Sequence, residues 1–565
     1  MLNKEQVEQL KQLPAAKRRL LLEKVRRQRI DGQALVAEGL KQAGVKVING
    51  LPGTPICDIF TESRKRSIRI LCPRHQFTGT MMAAAQNFAE GKVVHSVCLS
   101  AGPAVTNATT GILHAYNNNW PLLVISSRRA LTDEGSGYFQ ELDAVPVMES
   151  ITKWSVTVSS ASDIIPIIAK ACSIAAGDQP GPVFVDLPED VLLDYEFVEQ
   201  VELDCSDKPI QPNPEDAVSC LEKIRLSRSP LLCLGEDLLK QLDPVSIQKL
   251  VEQENLPFIT TPVGRGILPE NHALCLNKVR RKAMLSADLF ILAGAWFDWR
   301  LRRGQCCSPG TSLIHIHPES ELLGKNVPEA ECYKSDPMAF LRVLGETECA
   351  NPIPDRSSRI RSFPKNESLS PDASDFLNEG YANSVRAMQI LNEEKPDNAY
   401  MLADSSTHLA IAQHYLEINQ PHSWMDPGWH GLIGSGIPNA LGAQLAWPER
   451  PVIAVIGDTS FGMAGMDIET AVKHSLPVKV MVMNNSGIAG SHRERLTVPP
   501  DHPERFCQFG DRLRYDEIAV ALGAQGEAVS SNEQLRPAIR RMLDSESPYC
   551  LNVHVHPETP FPPPW

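Results

Sequence analysis

Residues 456–488 read IGDTSFGMAGMDIETAVKHSLPVKVMVMNNSGI. The short apolar run Val452–Ile456 that leads into them predicts a buried strand. Gly457, Asp458, Thr459 and Ser460 then form a polar turn, Met466–His474 a helix, and Val478–Met483 a second buried strand, with Asn484 and Asn485 opening a second turn. In a parallel sheet both turns fall at the carboxyl ends of the strands, the edge at which open α/β sheets bind ligands. Asp458 and Asn485 are therefore expected to face one another.

A carboxylate, an amide oxygen and a neighbouring backbone carbonyl are hard donors, suited to a Mg²⁺ that keeps its other positions for water or phosphate oxygens. A helix following Ser460 would aim its free amides at the same phosphates. The competing reading is an ordinary βαβ crossover with Asp and Asn in its loops. The stretch resembles the metal-diphosphate signature of thiamine-diphosphate (ThDP) enzymes, a Gly-Asp-Gly followed at the same separation by an Asn-Asn pair. The resemblance implies Asp458, the Asn485 side chain and the Gly487 carbonyl as metal ligands, with Thr459, Ser460 and Ile488 also on the cofactor. Thr459 stands where the family usually has its second glycine, and its hydroxyl is able to bond a phosphate.

A chain of 565 residues exceeds one core and suggests three domains of ordinary size. Its net charge of −13, with Lys and Arg scattered, argues against a nucleic-acid surface. No apolar run is long enough for a membrane span, and the basic N-terminus lacks the apolar core of a signal peptide, so the expected location is cytoplasmic. The 14 cysteines are dispersed without CxxC pairs, which predicts a reducing compartment and no zinc. Cys306–Cys307 is the only adjacent pair.

In chain order, residues 1–30 form a helical extension divided by Pro14. Its LPAAKRRLLLEKVRRQ resembles the short helices between domains of multimodular peptide and polyketide synthases, which would imply docking to a carrier protein; packing on the enzyme's own surface is the alternative. Residues 31–202 alternate helix and strand: helix 33–43, strand 46–49, turn LPGTP, helix 80–90, strand 94–99, turn SAGPAVTN, helix 108–117, and strands 122–126 and 183–187. A second α/β unit covers 216–345, a Pro- and Ser-rich linker 346–375, and a third α/β domain 376–565. The expected fold class is α/β, three doubly wound parallel-sheet domains of the ThDP-enzyme type behind a short helical extension.

The resemblance extends through these domains. LPGTP, SAGPAVTN and NNNWPLLVISS with YFQELD resemble segments of 2-hydroxyacyl-CoA lyases, oxalyl-CoA decarboxylases and acetolactate synthases. This implies that the first domain holds the ThDP pyrimidine supplied by a partner subunit of a homodimer or homotetramer, with Pro52, Gly53 and Asn107 on the cofactor. PFITTPVGRGILPENH and ADLFILAGAWFDWRL are similar to the family's central domain, where an ADP or FAD is implied and Arg280 matches a nucleotide-contacting arginine. HIHPE at His315–Glu319 lacks the acidic residues that hold ribose hydroxyls, and a purely structural domain is the alternative. DSSTH resembles a diphosphate loop containing Ser406 and His408. HGLIGSGIPNALGA implies a Gly431 carbonyl on the pyrimidine amino group and Ile433 as the wedge that bends the cofactor; core packing explains Ile433 equally well.

The family's glutamate that bonds a pyrimidine ring nitrogen follows an Arg-His pair. Here the segment is PRHQFTG, so Gln76 takes its place. Glutamine bonds but relays no proton, which removes assistance worth roughly 10²–10⁴-fold. Glyoxylate carboligase resembles this chain in lacking the acid. The candidate catalytic residues are Gln76, His75 and Gln140. Slow catalysis, assistance from His75, and a degenerate binding protein compete as explanations. Phe139 and Gln140 replace a Tyr and Glu of oxalyl-CoA decarboxylases, Ala489 replaces a Tyr of CoA-lyase relatives, and the tail PETPFPPPW is too Pro-rich for a helical lid. The expected function is a ThDP- and Mg²⁺-dependent decarboxylase, lyase or carboligase acting beside the carbonyl of a small 2-oxo acid or an acyl thioester, CoA- or carrier-bound; the rival is a non-catalytic scaffold or regulatory subunit.

Overall fold

The computed structural model describes residues 29–198, 200, 209–363, 380–404, 406–488, 498–499, 502 and 505–556. Almost all of the expected N-terminal extension, the second half of the linker, Ala489 and the tail PETPFPPPW lie outside the described residues. The chain divides into two compact units, residues 1–206 and 207–565.

The first unit is built on a six-stranded parallel sheet. In chain order its strands are Val47–Asn49, Arg69–Leu71, His95–Leu99, Leu122–Arg128, Trp154–Thr157 and Pro182–Pro188, and in space they run second, first, third, fourth, sixth, fifth. The central strands are buried along their whole length because helices cover both faces. One face packs Leu35, Leu40, Ile59, Phe60 and Ile168 against Ile48, Leu123, Ile125 and Val185. The alternate strand residues Val97, Leu122, Val124 and Phe184 are buried as well. Arg29–Asp31 pairs antiparallel with Tyr195–Phe197 beside this sheet's helices.

The second unit contains two parallel sheets. The central one has five strands, Pro230–Leu234, Phe258–Thr260, Leu289–Ala293, Ser312–His317 and Glu331–Lys334, ordered second, first, third, fourth, fifth. The last has six, Tyr400–Ala403, Trp424–Met425, Val452–Gly457, Lys479–Asn484, Gln525–Val529 and Tyr549–His554, and it repeats the spatial order of the first unit's sheet.

A buried ion pair ties the two sheets together. Arg265 donates to both Glu270 oxygens at 2.7 Å and to the Leu416 carbonyl at 2.6 Å, while Glu270 accepts the Ile418 amide at 2.8 Å. Burying such a pair is tolerated when its hydrogen-bond capacity is used, and Asn277 supplies a further donor to Glu270 at 2.9 Å. The start of the expected linker is also anchored. Buried Arg356 donates to the carbonyls of Glu254 at 2.7 Å and Ser227 at 3.1 Å. Among the described residues no helix is long and apolar enough to cross a membrane.

Candidate active site

In the last sheet, whose strands are parallel, the order of strand addition reverses between the first and third strands, which is the topological switch point. Asp404 directly follows the first strand and Asp458 the third. Fully buried Asp404 accepts the amides of Gly434 at 3.0 Å and Gly436 at 2.8 Å, so it holds the segment containing Gly431 and Ile433. A Cβ on Gly436 would lie 2.4 Å from Ile456 Cγ2, and Gly434 has φ +90°. Only glycine fits this close, left-handed path. Gly431 is exposed at φ 59°, and Ile433 is half-buried beside it. Asp404 was not among the expected site residues; its signal was an acid closing the apolar strand Ala399–Ala403.

The expected turn over Gly457–Ser460 is instead a helix start. Gly457 is the N-cap, Asp458–Ala464 is helical, and after a 3-10 turn at Gly465–Asp467 the helix resumes at Ile468–Lys473. A carboxylate in the first turn complements the helix dipole, so no break is needed there. Asp458 accepts the Gly487 amide at 2.8 Å through one oxygen and the Thr459 amide at 2.8 Å through the other. Ser460 Oγ accepts the Gly434 amide at 3.3 Å. Burial pushes the Asp458 carboxyl up to about 6; a cation alongside would restore the ionised form.

The second turn separates its two asparagines. Asn484 is structural, donating to the Leu513 carbonyl at 2.9 Å and to Asn552 at 3.2 Å. Asn485 is buried at the start of the loop, Ser486 is left-handed at φ 56°, and Gly487 passes so close to Cys507 that a Cβ would stand 2.4 Å from its carbonyl oxygen. The Ile488 amide bonds that same carbonyl at 2.8 Å. His408 lies buried in the helix Ser406–Tyr415; burial pushes it down to about 4, and its Nε2 has no hydrogen-bond partner among the described residues. The Ser406 side chain lies outside the described residues. Among the described residues no three His, Cys, Asp or Glu side chains cluster, so an ion here would be held by one carboxylate and neutral oxygens. A buried carboxylate, an unpartnered imidazole nitrogen and a glycine cradle fit a metal and the diphosphate it neutralises.

The equivalent edge of the first unit is built from amides. Helix Gln76–Glu90 begins four residues before its expected start, with His75 as N-cap: His75 Nδ1 accepts the Phe77 amide at 3.1 Å. Helix Pro103–Asn117 begins five residues early, because Pro103 takes the first position after left-handed Gly102. Asn107 thus sits on a helix rather than in a turn, and its Nδ2 donates to Gln76 Oε1 at 3.2 Å. One turn further along both helices, a Cβ on Gly111 would fall 1.9 Å from Thr80 Oγ1.

Gln140, left-handed at φ 61°, packs its carbonyl and Cβ against Gly102. Gly53 lies against Ser100, where a Cβ would meet the serine at 2.8 Å, and Pro52 is exposed beside it. Gln76, His75, Asn107, Gln140 and Gly53 therefore share one edge, while Asp458, Asn485, Gly487, Ser460 and His408 share the edge of the last sheet.

Buried neighbours fix the Gln76 helix. Asn49 donates to the Gly79 carbonyl at 2.9 Å and contacts His95 Nε2 at 2.7 Å, while His95 Nδ1 contacts Gln86 at 2.9 Å. Burial pushes His95 down to about 3, so the ring is neutral, accepts from Asn49 and donates to Gln86. Arg128 anchors both ends of the Gln140 segment, to Glu134 at 3.0 Å and Asp143 at 3.2 Å.

The central sheet's switch point is filled by the protein itself. A Cβ on Gly235 would lie 2.2 Å from the Gly294 carbonyl oxygen, and Glu236 there binds Arg300 at 2.6 Å and the Thr261 hydroxyl at 2.6 Å. Arg300 also bonds Asp298 at 2.8 Å. Arg280 is buried, and His315 is bonded at both ring nitrogens to backbone, at 2.9 and 3.0 Å. These features do not favour the ADP or FAD implied by resemblance.

Three family models match consecutive parts of the chain: the thiamine pyrophosphate enzyme N-terminal TPP binding domain at residues 30–147, its central domain at 218–344, and its C-terminal TPP binding domain at 404–553. The chain is 28% identical to human 2-hydroxyacyl-CoA lyase 1 over 560 residues, covering 94% of this chain and 95% of the relative. It is 27% identical to Escherichia coli oxalyl-CoA decarboxylase over 549 residues, covering 94% and 96%, and 27% identical to human 2-hydroxyacyl-CoA lyase 2 over 564 residues, covering 92% and 88%. With all three domain types matched in order along the chain, the chain belongs to the thiamine pyrophosphate enzyme family, as an enzyme of the lyase and decarboxylase kind.

Proposed function

We propose that this enzyme makes or breaks a carbon–carbon bond beside the carbonyl of a 2-oxo acid or acyl thioester, using ThDP anchored through Mg²⁺. Asp458, Asn485 and the Gly487 carbonyl would hold the ion, Ser460, Thr459 and His408 the diphosphate, and Gln76 with Asn107 the pyrimidine. The observation that carries this reading is the buried Asp458 carboxylate 2.8 Å from the Gly487 amide, at the switch point of the last sheet. When bound, the cofactor supplies a nucleophilic thiazolium carbon and an electron sink.

The chain's own contribution is orientation. Asn107 occupies Gln76 Oε1, which leaves the Nε2–H₂ end as the group offered to a ring nitrogen. A neutral donor of this kind aligns the ring but relays no proton, so the chemical step lacks roughly 10²–10⁴-fold of assistance. Gly434, Gly436 and Ile433, held by Asp404, support the bend between the two rings.

Apolar side chains exposed around each edge support a homodimer or homotetramer: Phe139 at 67%, Met463 at 59%, Met466 at 57% and Phe506 at 79%. Sedimentation should give at least a dimer, and a monomer with full ThDP affinity would refute the assembly. For the reaction itself, the holoenzyme is incubated with a panel of 2-oxo acids and acyl thioesters, quenched in acid and examined by mass. A covalent ThDP adduct with one class identifies the substrate. Unmodified ThDP across the panel would overturn the reading.

A further inference from the structure

The adjacent Cys306 and Cys307 take no part in the site above. They close a segment that leaves the central sheet after Leu289–Ala293 and reaches the last domain through Trp299, whose indole N–H donates to the Trp429 carbonyl at 2.9 Å. Trp429 lies two residues before Gly431, and its ring stacks near Trp296, centroids 6.3 Å apart. The segment is conformationally unusual: Arg302, Arg303 and Gly304 are all left-handed, at φ 51°, 54° and 87°. Non-glycine residues seldom adopt that region. The Arg303 amide bonds the Asp298 carbonyl at 2.7 Å, and a Cβ on Gly304 would meet Val327 at 2.2 Å, so the path has few alternatives.

At its end the two thiols touch, Sγ to Sγ 3.8 Å. Cys306 is buried in the central core, and Cys307 is partly exposed. The hydrogen bond from Cys307, together with the Arg280 and Arg302 guanidinium groups, holds Cys306 below the usual thiol range, while Cys307 is pushed up. Such a pair loses its first proton more readily than an isolated thiol.

We propose that Cys306 and Cys307 are a redox-active vicinal dithiol, closed by a small disulfide such as glutathione disulfide, and that closure loosens the Trp299 tie to the Trp429 backbone. The Cys307 proton passes to Cys306 along their shared hydrogen bond, and the accessible Cys307 thiolate attacks glutathione disulfide, forms a mixed disulfide and expels one glutathione thiolate, which takes the proton back from Cys306. Cys306 thiolate then attacks Cys307 Sγ and expels the second. The two thiol protons end on two glutathione molecules, so two thiols and one disulfide give one ring disulfide and two thiols. Adjacent Cα atoms are about 3.8 Å apart, short of the roughly 4.4–6.8 Å of ordinary disulfides, so the ring is strained and easily reopened. A labile bond of this sort serves as a sensor in a reducing compartment.

The test uses the full-length chain in buffers of rising glutathione disulfide to glutathione ratio. Non-reducing digestion and mass measurement should show the peptide containing both cysteines lighter by two hydrogens. Hydrogen exchange of the amides of residues 428–431 should accelerate severalfold, and dithiothreitol should reverse both changes. In Cys306→Ser the reaction should stop with glutathione on Cys307. Glutathione on both cysteines, a link from Cys306 to Cys233, or two intact thiols when exposed Cys57 is already glutathionylated would overturn the dithiol. Ring closure with unchanged exchange at 428–431 would overturn its coupling to Trp429. The wild-type measurement requires no variant to fold, and neither readout depends on the cofactor assignment.

Discussion

Gly111 and Thr80 meet without room for a single methyl group: a Cβ on Gly111 would stand 1.9 Å from the Thr80 hydroxyl and 2.8 Å from its Cβ. The Thr80 hydroxyl is itself held by the carbonyls of Gln76 at 3.1 Å and Phe77 at 2.8 Å. Because Thr80 is four residues after Gln76 and Gly111 four after Asn107, this contact sets the helix spacing at which Asn107 reaches Gln76.

Gly111→Ala should therefore separate the two helices. A helical Gly-to-Ala change alone gains about 1 kcal/mol, but overpacking a tight contact costs about 1–3 kcal/mol. The expected net outcome in urea denaturation is a loss of stability, together with at least tenfold weaker ThDP binding by calorimetry. Asn107→Ala should weaken binding with little change in stability, since Asn107 is exposed.

Gln76→Glu should restore a proton relay. Exchange of the thiazolium proton of bound ThDP, followed by quenched NMR, should accelerate by one or more orders of magnitude, the scale of a positioned acid–base group. Turnover need not follow, because a later step can limit the rate. Unchanged exchange with ThDP still bound would mean that Gln76 does not face the pyrimidine, or that another group such as His75 already assists.

Asp458→Asn keeps an oxygen for the Gly487 amide and removes the charge. ThDP affinity in the presence of Mg²⁺ should fall by about 100-fold or more, while binding without Mg²⁺ changes little, because the lost interaction is the metal's anionic ligand. Calorimetry at matched pH, with and without EDTA, separates these cases. Equal affinity for the two proteins in Mg²⁺ would remove Asp458 from the metal site.

Asp186 gives a pH signature. Burial pushes its carboxyl from 3.8 up to about 7, opposed by Arg128 at 3.8 Å. The folded state binds this proton more tightly than the unfolded, so the stabilisation is complete below about pH 4 and is lost as pH rises to about 7. Asp186→Asn does not titrate. Its stability relative to wild type should improve by about 3 kcal/mol between pH 5 and pH 8, read from urea midpoints. A constant difference would show that Asp186 is not buried as a shifted acid.

The central strands were legible because continuous apolar runs such as Val452–Ile456 leave little choice in a sheet covered on both faces; the edge strands Arg69–Leu71 and Trp154–Thr157 were missed because they are only partly buried and carry no such run. The helix starts at the candidate site were not, although that of Gly32–Gln42 was read to within one residue. Apolar periodicity begins only where a helix meets the core, whereas the first turns at Gln76, Pro103 and Asp458 are polar or flank glycine and face the sheet edge. The same reason hid the supporting residues. Asp404, Thr80 and Gly111 matter through contacts with partners 30 or more positions away, Asp404 with Gly434 and Thr80 with Gly111, and a linear pattern does not carry that information. Arg280 matched a pattern position, yet the fold turns it into the core.

The repeated strand order of the first and last sheets makes them comparable strand by strand. At the end of the first strand in each copy, one side chain reaches across to the start of the helix that follows the second strand. Asn49 donates to the Gly79 carbonyl in one copy; Asp404 accepts the Gly434 and Gly436 amides in the other. The grip is the same and its polarity is reversed. The neutral latch is the last residue of its strand and the anionic one the residue just after its strand, so the two grips differ by one residue of register as well as in charge. Exchanging the two side chains asks how much of each half's specialisation resides in the charge of its latch.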